Sequence, residues 1–238
     1  LALMTRALRD AGALKPSRAR LFRPDRLMAL FHVSANLIIR SFFVQLPFFT
    51  FTVLSAGFGD RVLAANAVLM QLFFIMSYGL DSLAHSAESL TGHAFGARDR
   101  PQLRAAARYT LLWSLAVALA TAVAYALLGG VLIDTLTTLP EVRETARAYL
   151  PWVAVIPLAA VVAFHLDGVF IGTTRTAELR NSMFLAAVFF AASLWASLDP
   201  LGNHGLWMSM MLFMVVRSLL LAWQYPRLER MAGPSVQG

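Results

Sequence analysis

Hydrophobic residues in this chain gather into long runs, and the polar residues fall mostly into short punctuated stretches between them. A helix needs about 20 mostly apolar residues to cross the hydrocarbon core of a bilayer, and six segments meet that length. They run from about Leu27 to Ala56, Val62 to Phe95 (with Gly79 and Gly92 inside), Ala105 to Leu128, Ala148 to Ile171 (with Pro151 and Pro157 in the early turns), Leu179 to Leu198 and Gly205 to Tyr225. The pattern predicts an all-α integral membrane protein, a bundle of six transmembrane helices. Gly57-Phe58-Gly59-Asp60 and Asp199-Pro200-Leu201-Gly202-Asn203 read as tight turns. The longer connection from Gly129 to Thr145 is expected to lay Val131 to Leu136 along the membrane interface, with Pro140 opening the next helix.

Charge sharpens this count. Basic residues are concentrated in the loops that stay on the cytoplasmic side, so alternate connections should alternate in Lys and Arg. One side collects seven in the N-terminal segment, four from Arg98 to Arg108, then Arg175, Arg180, Arg227 and Arg230. The opposite side holds only Arg61, Arg143 and Arg147. Fifteen against three implies an even number of crossings with both ends in the cytoplasm, in a bacterial inner membrane. The expected organisation is a basic cytoplasmic connector over residues 1–26, a six-helix lobe over 27–225 and a cytoplasmic tail over 226–238. Residues 1–26 contain no apolar stretch long enough for the core of a signal peptide.

Composition excludes several classes. Of the 238 residues 58% are hydrophobic and 14% charged, against roughly a quarter charged in a soluble domain; the mean hydropathy is +0.64. A net charge of +7 would suggest nucleic acid in a soluble protein. Here the charge is divided among separate loops, and no nucleic acid partner is expected. With no Cys there is neither a disulfide framework nor thiolate chemistry. Neither a Gly-x-Ser-x-Gly elbow nor a His-Glu-x-x-His pair occurs, so the chain does not read as an enzyme, and no metal site is expected.

Ionisable groups within membrane spans are costly and mark candidate functional sites. Asp81, His85 and Glu88 on the second span are spaced i, i+4, i+7, which places them on one helix face. A low-dielectric interior favours the neutral forms of such groups, so they could load and release protons near neutral pH. The alternative is a hydrated cytoplasmic helix end whose acids pair with loop arginines. Asp167, near the end of the fourth span, is the second candidate, with Gly168 beside it allowing close approach of a backbone or ligand. It could equally be a structural acid bonded to a neighbouring helix or to Arg175 or Arg180. The first span carries Asn36 and Arg40 at i, i+4 with Gln45 beyond. An arginine so deep needs a partner, and Asp81, Glu88 or Asp167 could serve. Arg217 on the sixth span lies closer to the cytoplasm, where snorkelling is expected to satisfy it.

Several segments together resemble a known family. They are Ala64-Ala65-Asn66-Ala67-Val68-Leu69-Met70, Gly79-Leu80-Asp81 through Ala87-Glu88, Gly92-His93 and Gly96-Ala97-Arg98-Asp99. These are similar to the multidrug and toxic compound extrusion (MATE) transporters. Leu166-Asp167-Gly168-Val169-Phe170-Ile171-Gly172-Thr173-Thr174-Arg175, Arg180-Asn181-Ser182-Met183 and Leu201-Gly202-Asn203-His204-Gly205-Leu206-Trp207 resemble its DinF-like branch. The resemblance implies twelve helices in two six-helix lobes, with organic cations, drugs or amphiphiles expelled from between the lobes in exchange for protons or sodium. It implies that this chain is the C-terminal lobe, that an N-terminal six-helix lobe is its partner, and that membrane lipid surrounds both. No cofactor is implied beyond the coupling ion.

Some branches of the family place coupling acids on the first and fourth helices of this lobe. The first span here has no acid between Leu27 and Ala56, and Arg40 stands in that region instead. Asp167, Asp81 and Glu88 remain the candidate coupling or cavity residues, with His85, Arg40, Asn36 and Gln45 around them. The competing reading is a non-transporting scaffold or lipid-flippase-like module built on the same helices.

Overall fold

The computed structural model of the chain describes residues 24–233. Six helices form among them: α1 (Pro24–Gly57), α2 (Asp60–Gly96), α3 (Arg100–Leu136), α4 (Pro140–Gly172), α5 (Thr176–Leu201) and α6 (Asn203–Met231). All six are long and apolar enough to cross a membrane. At 26 to 37 residues and 1.5 Å rise per residue, they span roughly 39–56 Å. That exceeds the hydrocarbon core, so the basic ends reach the headgroups. Residues 1–23 of the expected connector and 234–238 of the expected tail lie outside the described residues. Residues 226–231 continue α6 without a break.

Helix boundaries follow from local chemistry. Asp99 caps α3 by accepting from the Gln102 amide at 2.9 Å. Pro140 opens α4 as the sequence predicts. Between helices the chain uses only one to three residues, so consecutive helices run antiparallel. The expected break after α3's apolar run is not found: the helix continues through Gly129-Gly130 to Leu136. Gly129 is a packing residue rather than a break, because a Cβ there would meet the Leu150 side chain of α4 at 2.7 Å. Arg143 then closes the end of α3, donating to the carbonyls of Asp134 (2.9 Å) and Thr137 (2.8 Å).

The centre of the lobe is α4, packed against α2, α3 and α6. Its stretch from Ala160 to Phe170 is apolar on nearly every side and almost wholly buried, as a helix without a polar face must be. It meets α2 backbone to backbone. A Cβ on Gly168 would sit 2.1 Å from the Ala84 carbonyl oxygen, and one on Gly172 would sit 2.2 Å from that of Glu88. The Gly-x-x-x-Gly spacing lets the helices approach this closely. It also fixes the face of α2 that carries Asp81 and Glu88 relative to Asp167.

At the arginine-poor end, buried polar groups join three helices. The Asn66 amide of α2 donates to Ser55 Oγ of α1 (2.8 Å) and to Asn203 Oδ1 of α6 (2.7 Å). Its oxygen accepts from Asn203 Nδ2 (3.1 Å) and from Trp207 Nε1 (3.0 Å). Trp207 is fully buried and meets the Phe51 ring edge-on, with centroids 4.7 Å apart. α1 is the least buried of the six helices. It packs mainly along α5, and large side chains such as Phe31, Ile38, Phe42 and Phe49 point away from the bundle.

Candidate functional site

Three helices converge on one carboxylate. Asp167 of α4 lies in the buried segment of that helix, 5% exposed. Its Oδ2 accepts from the guanidinium of Arg40 on α1 and from that of Arg217 on α6. Arg217 is itself 3% exposed and lies over the Phe164 ring, 5.2 Å from its centroid. Arg217 therefore does not snorkel. Its position on the inner face of α6, against α4, leaves its side chain no route to water, and Asp167 supplies the countercharge. Arg40 finds one of the three partners its sequence position allows. Arg175 and Arg180 are not used by Asp167.

The set is not fully satisfied. Asp167 Oδ1 and the Nε atoms of both arginines are buried without a hydrogen-bond partner, which is uncommon in a native interior. Two guanidiniums against one carboxylate leave a formal excess of one positive charge. The arrangement is one carboxylate shared by two guanidiniums from different helices, with a single acceptor oxygen, Oδ1, left over.

The other candidates surround this centre at different depths. Asp81 is exposed on the surface of the lobe, within Coulombic reach of Arg217, Asp167, His85 and Arg40. His85 Nδ1 lies 3.2 Å from Glu88 Oε2, with the imidazole largely exposed and the carboxylate half-buried. The i, i+4, i+7 spacing thus gives a common helix face, but one that looks out of the lobe. Asn36 accepts from Arg180 at 2.8 Å and donates to Thr176 Oγ1 at 3.4 Å, tying α1 to the start of α5. Gln45 is exposed, off the inward stripe of α1 formed by Phe43, Val44, Pro47 and Phe51. Among the described residues no three His, Cys, Asp or Glu side chains cluster as metal ligands would.

Sequence reasoning missed two features. The pairing of Arg217 with Asp167 was not anticipated, although both residues are ionisable groups inside spans. The Asn66 junction was missed as well, although the rule that draws attention to Asp81 applies equally to an asparagine within a predicted span.

Comparison with known proteins places this chain in a family. The MatE family model matches residues 37–194. DNA damage-inducible protein F of Escherichia coli (strain K12) is 42% identical over 197 residues, covering 83% of this chain and 42% of that protein. The bent form of the Vibrio cholerae MATE transporter VcmN superposes with a TM-score of 0.83 at 18% identity, over 97% of this chain and 53% of that one. A MOP superfamily transporter from Pyrococcus furiosus, described as having a binding pocket of reverse polarity, superposes with a TM-score of 0.75 at 20% identity, over 83% of this chain and 44% of that one. At these identities the two structures establish the fold alone. This chain spans about half the length of these relatives. The six-helix bundle and the family match agree, and the chain belongs to the MatE family.

Proposed function

We propose that this unit is the C-terminal lobe of a cation-coupled efflux antiporter for organic cations, drugs or amphiphiles, with Asp167 as the coupling carboxylate. The observation that carries the reading is the unpartnered Oδ1 of Asp167, held between an arginine of the loosely packed α1 and one of the buried α6. While Asp167 is ionised it ties Arg40, and with it α1, to the centre of the lobe. Taking up a proton, or a sodium ion at Oδ1, cancels the charge that holds Arg40. α1 buries little surface and contains Pro47, so it is the helix whose position such a change shifts most easily.

The exposed face of Asp81, His85 and Glu88 then lines the space between this lobe and a second one. Substrate occupies that space, in the manner of two-lobed transporters that rock about a central site. Support for efflux comes from relatives such as the multidrug resistance MATE family transporter solved in an outward-facing conformation. The arginine asymmetry supports an inner-membrane orientation with both ends cytoplasmic. The scaffold alternative would make the Arg40–Asp167–Arg217 cluster purely structural, and no separate observation favours it.

The test uses everted membrane vesicles from cells producing the intact protein, with uptake of a fluorescent organic cation driven by an imposed proton or sodium gradient. Arg217→Gln keeps the Asp167–Arg40 pair and retains gradient-driven uptake. Adding Asp167→Asn abolishes it. Uptake at the wild-type rate in the Asp167→Asn/Arg217→Gln protein would remove Asp167 from the mechanism.

A further inference from the structure

A second feature lies on the opposite flank of α4 from the Arg40 contact, at the arginine-rich end of the lobe. Arg100, Arg104 and Arg108 recur every four residues along the first turns of α3, on one side of the helix. Together with Tyr109 they form an open, cationic face of α3. Arg104 and Arg108 also border a cleft of about 280 Å³ between α3, α4 and α6, whose walls are Leu111, Val162, Leu166, Ala222 and Tyr225. These two arginines are thus common to the cationic face and the apolar cleft.

The charge is only partly compensated. Glu229 of α6, nearly buried, accepts from Nε of Arg100 and of Arg104 at 3.0 Å each. Asp99 is engaged in capping α3. Arg108 has no carboxylate partner among the described residues. His165 also lines the apolar cleft; it is 2% exposed and its Nδ1 has no hydrogen-bond partner among the described residues. A buried imidazole with unmet hydrogen-bonding capacity is costly unless something completes it. Beyond the cleft, α3 presents Leu112, Trp113, Leu115 and Leu119 outward, a surface suited to lipid.

We infer that this groove is a binding site for an anionic phospholipid of the adjoining leaflet. The order of chemistry down the groove matches that of the lipid. Its phosphate meets Arg104 and Arg108, an ester carbonyl accepts the N–H of His165, and one acyl chain lies in the cleft between α3 and α6. Basic pockets between transmembrane helices recognise anionic headgroups in this way. An excess of guanidinium repels an organic cation and holds a zwitterionic headgroup, whose ammonium offsets its phosphate, less tightly than an anionic one. With the fifteen-to-three asymmetry fixing orientation, the leaflet is the cytoplasmic one. The bound lipid fastens α3 to α6 behind α4, on the flank that does not carry Arg40.

The experiment is native mass spectrometry of the intact protein in a neutral detergent, titrated with phosphatidylglycerol and phosphatidylcholine of the same acyl chains. Phosphatidylglycerol binds several-fold more tightly in the wild type. Arg108→Gln, which breaks no ion pair, lowers its affinity roughly fivefold and that of phosphatidylcholine, whose choline offsets its phosphate, by less, so the preference narrows. His165→Phe weakens both lipids alike, because both carry the ester. Equal binding of the two lipids overturns the assignment, as does an unchanged preference in Arg108→Gln. Displacement of phosphatidylglycerol by excess inorganic phosphate also overturns it, since that marks a site for soluble anions.

Discussion

Replacing Asp167 with Asn keeps shape and removes the charge, so it isolates what the carboxylate does for the lobe. Two guanidiniums then face one another without a counterion, one of them with a side chain only 4% exposed. Removing one member of a buried ion pair typically costs about 3–5 kcal/mol. The Asn carbonyl still accepts one hydrogen bond, recovering about 1 kcal/mol. Arg40, with 18% of its side chain exposed, regains some water, so the lower part of the remaining range applies, about 2 kcal/mol. For a folding unit of this size each kcal/mol moves the midpoint by about 2–4 °C, giving a fall of roughly 4–8 °C. Thermal unfolding of the detergent-solubilised intact protein, followed by tryptophan fluorescence, reads this directly. Adding Arg217→Gln should recover at least half of the loss, because it removes the most deeply buried orphan charge. A midpoint for Asp167→Asn within about 2 °C of wild type, or a double variant less stable than the single, would refute the electrostatic account.

Further outcomes follow from the packing. Gly168→Ala drives a Cβ into the Ala84 carbonyl and should cost about 3 kcal/mol or more, whereas Gly79→Ala, with open space at its Cβ, should stabilise α2 by about 0.5–1 kcal/mol; thermal unfolding of the pair separates close helix packing from propensity. Asn66→Leu leaves Trp207 Nε1 and the Asn203 amide without their partner and should lower stability by about 3 kcal/mol at roughly 1–3 per orphaned group, seen in the same assay. Asp134→Asn, by contrast, loses a pairing with Arg147 in which both side chains are substantially exposed; the expected change is under about 1 kcal/mol, and a larger one would show that this end of the lobe is less hydrated than its exposure suggests.

How much of this was legible beforehand depended on whether the signal was local. Span count needs only run length, and alternation of arginines needs only counting. The span count survives in the structure because hydrocarbon imposes it on each segment separately. Arg40 announced itself because it lies far from either end of α1. Arg217 did not, since snorkelling depends on which face of α6 turns inward, and α6 has little amphipathic contrast to reveal it. Its neighbours Met214, Phe213 and Leu221 are as apolar as residues facing lipid. Gly129 looked like a chain break because its contact, Leu150, is on the next helix. The Asp81 set showed the opposite limit: spacing gave the common face correctly, but periodicity within one helix cannot say whether that face looks into the lobe or out of it.

Coupling of an ion gradient to export through Asp167 is tested most directly by counter-transport in proteoliposomes of the purified intact protein, under proton and sodium gradients imposed separately. An organic cation should accumulate against its own gradient with at least one of the two ions. That accumulation should persist in Arg217→Gln and vanish in Asp167→Asn/Arg217→Gln, while both variants keep their fold. Accumulation that is independent of both gradients, or equal in the wild type and the double variant, would contradict it.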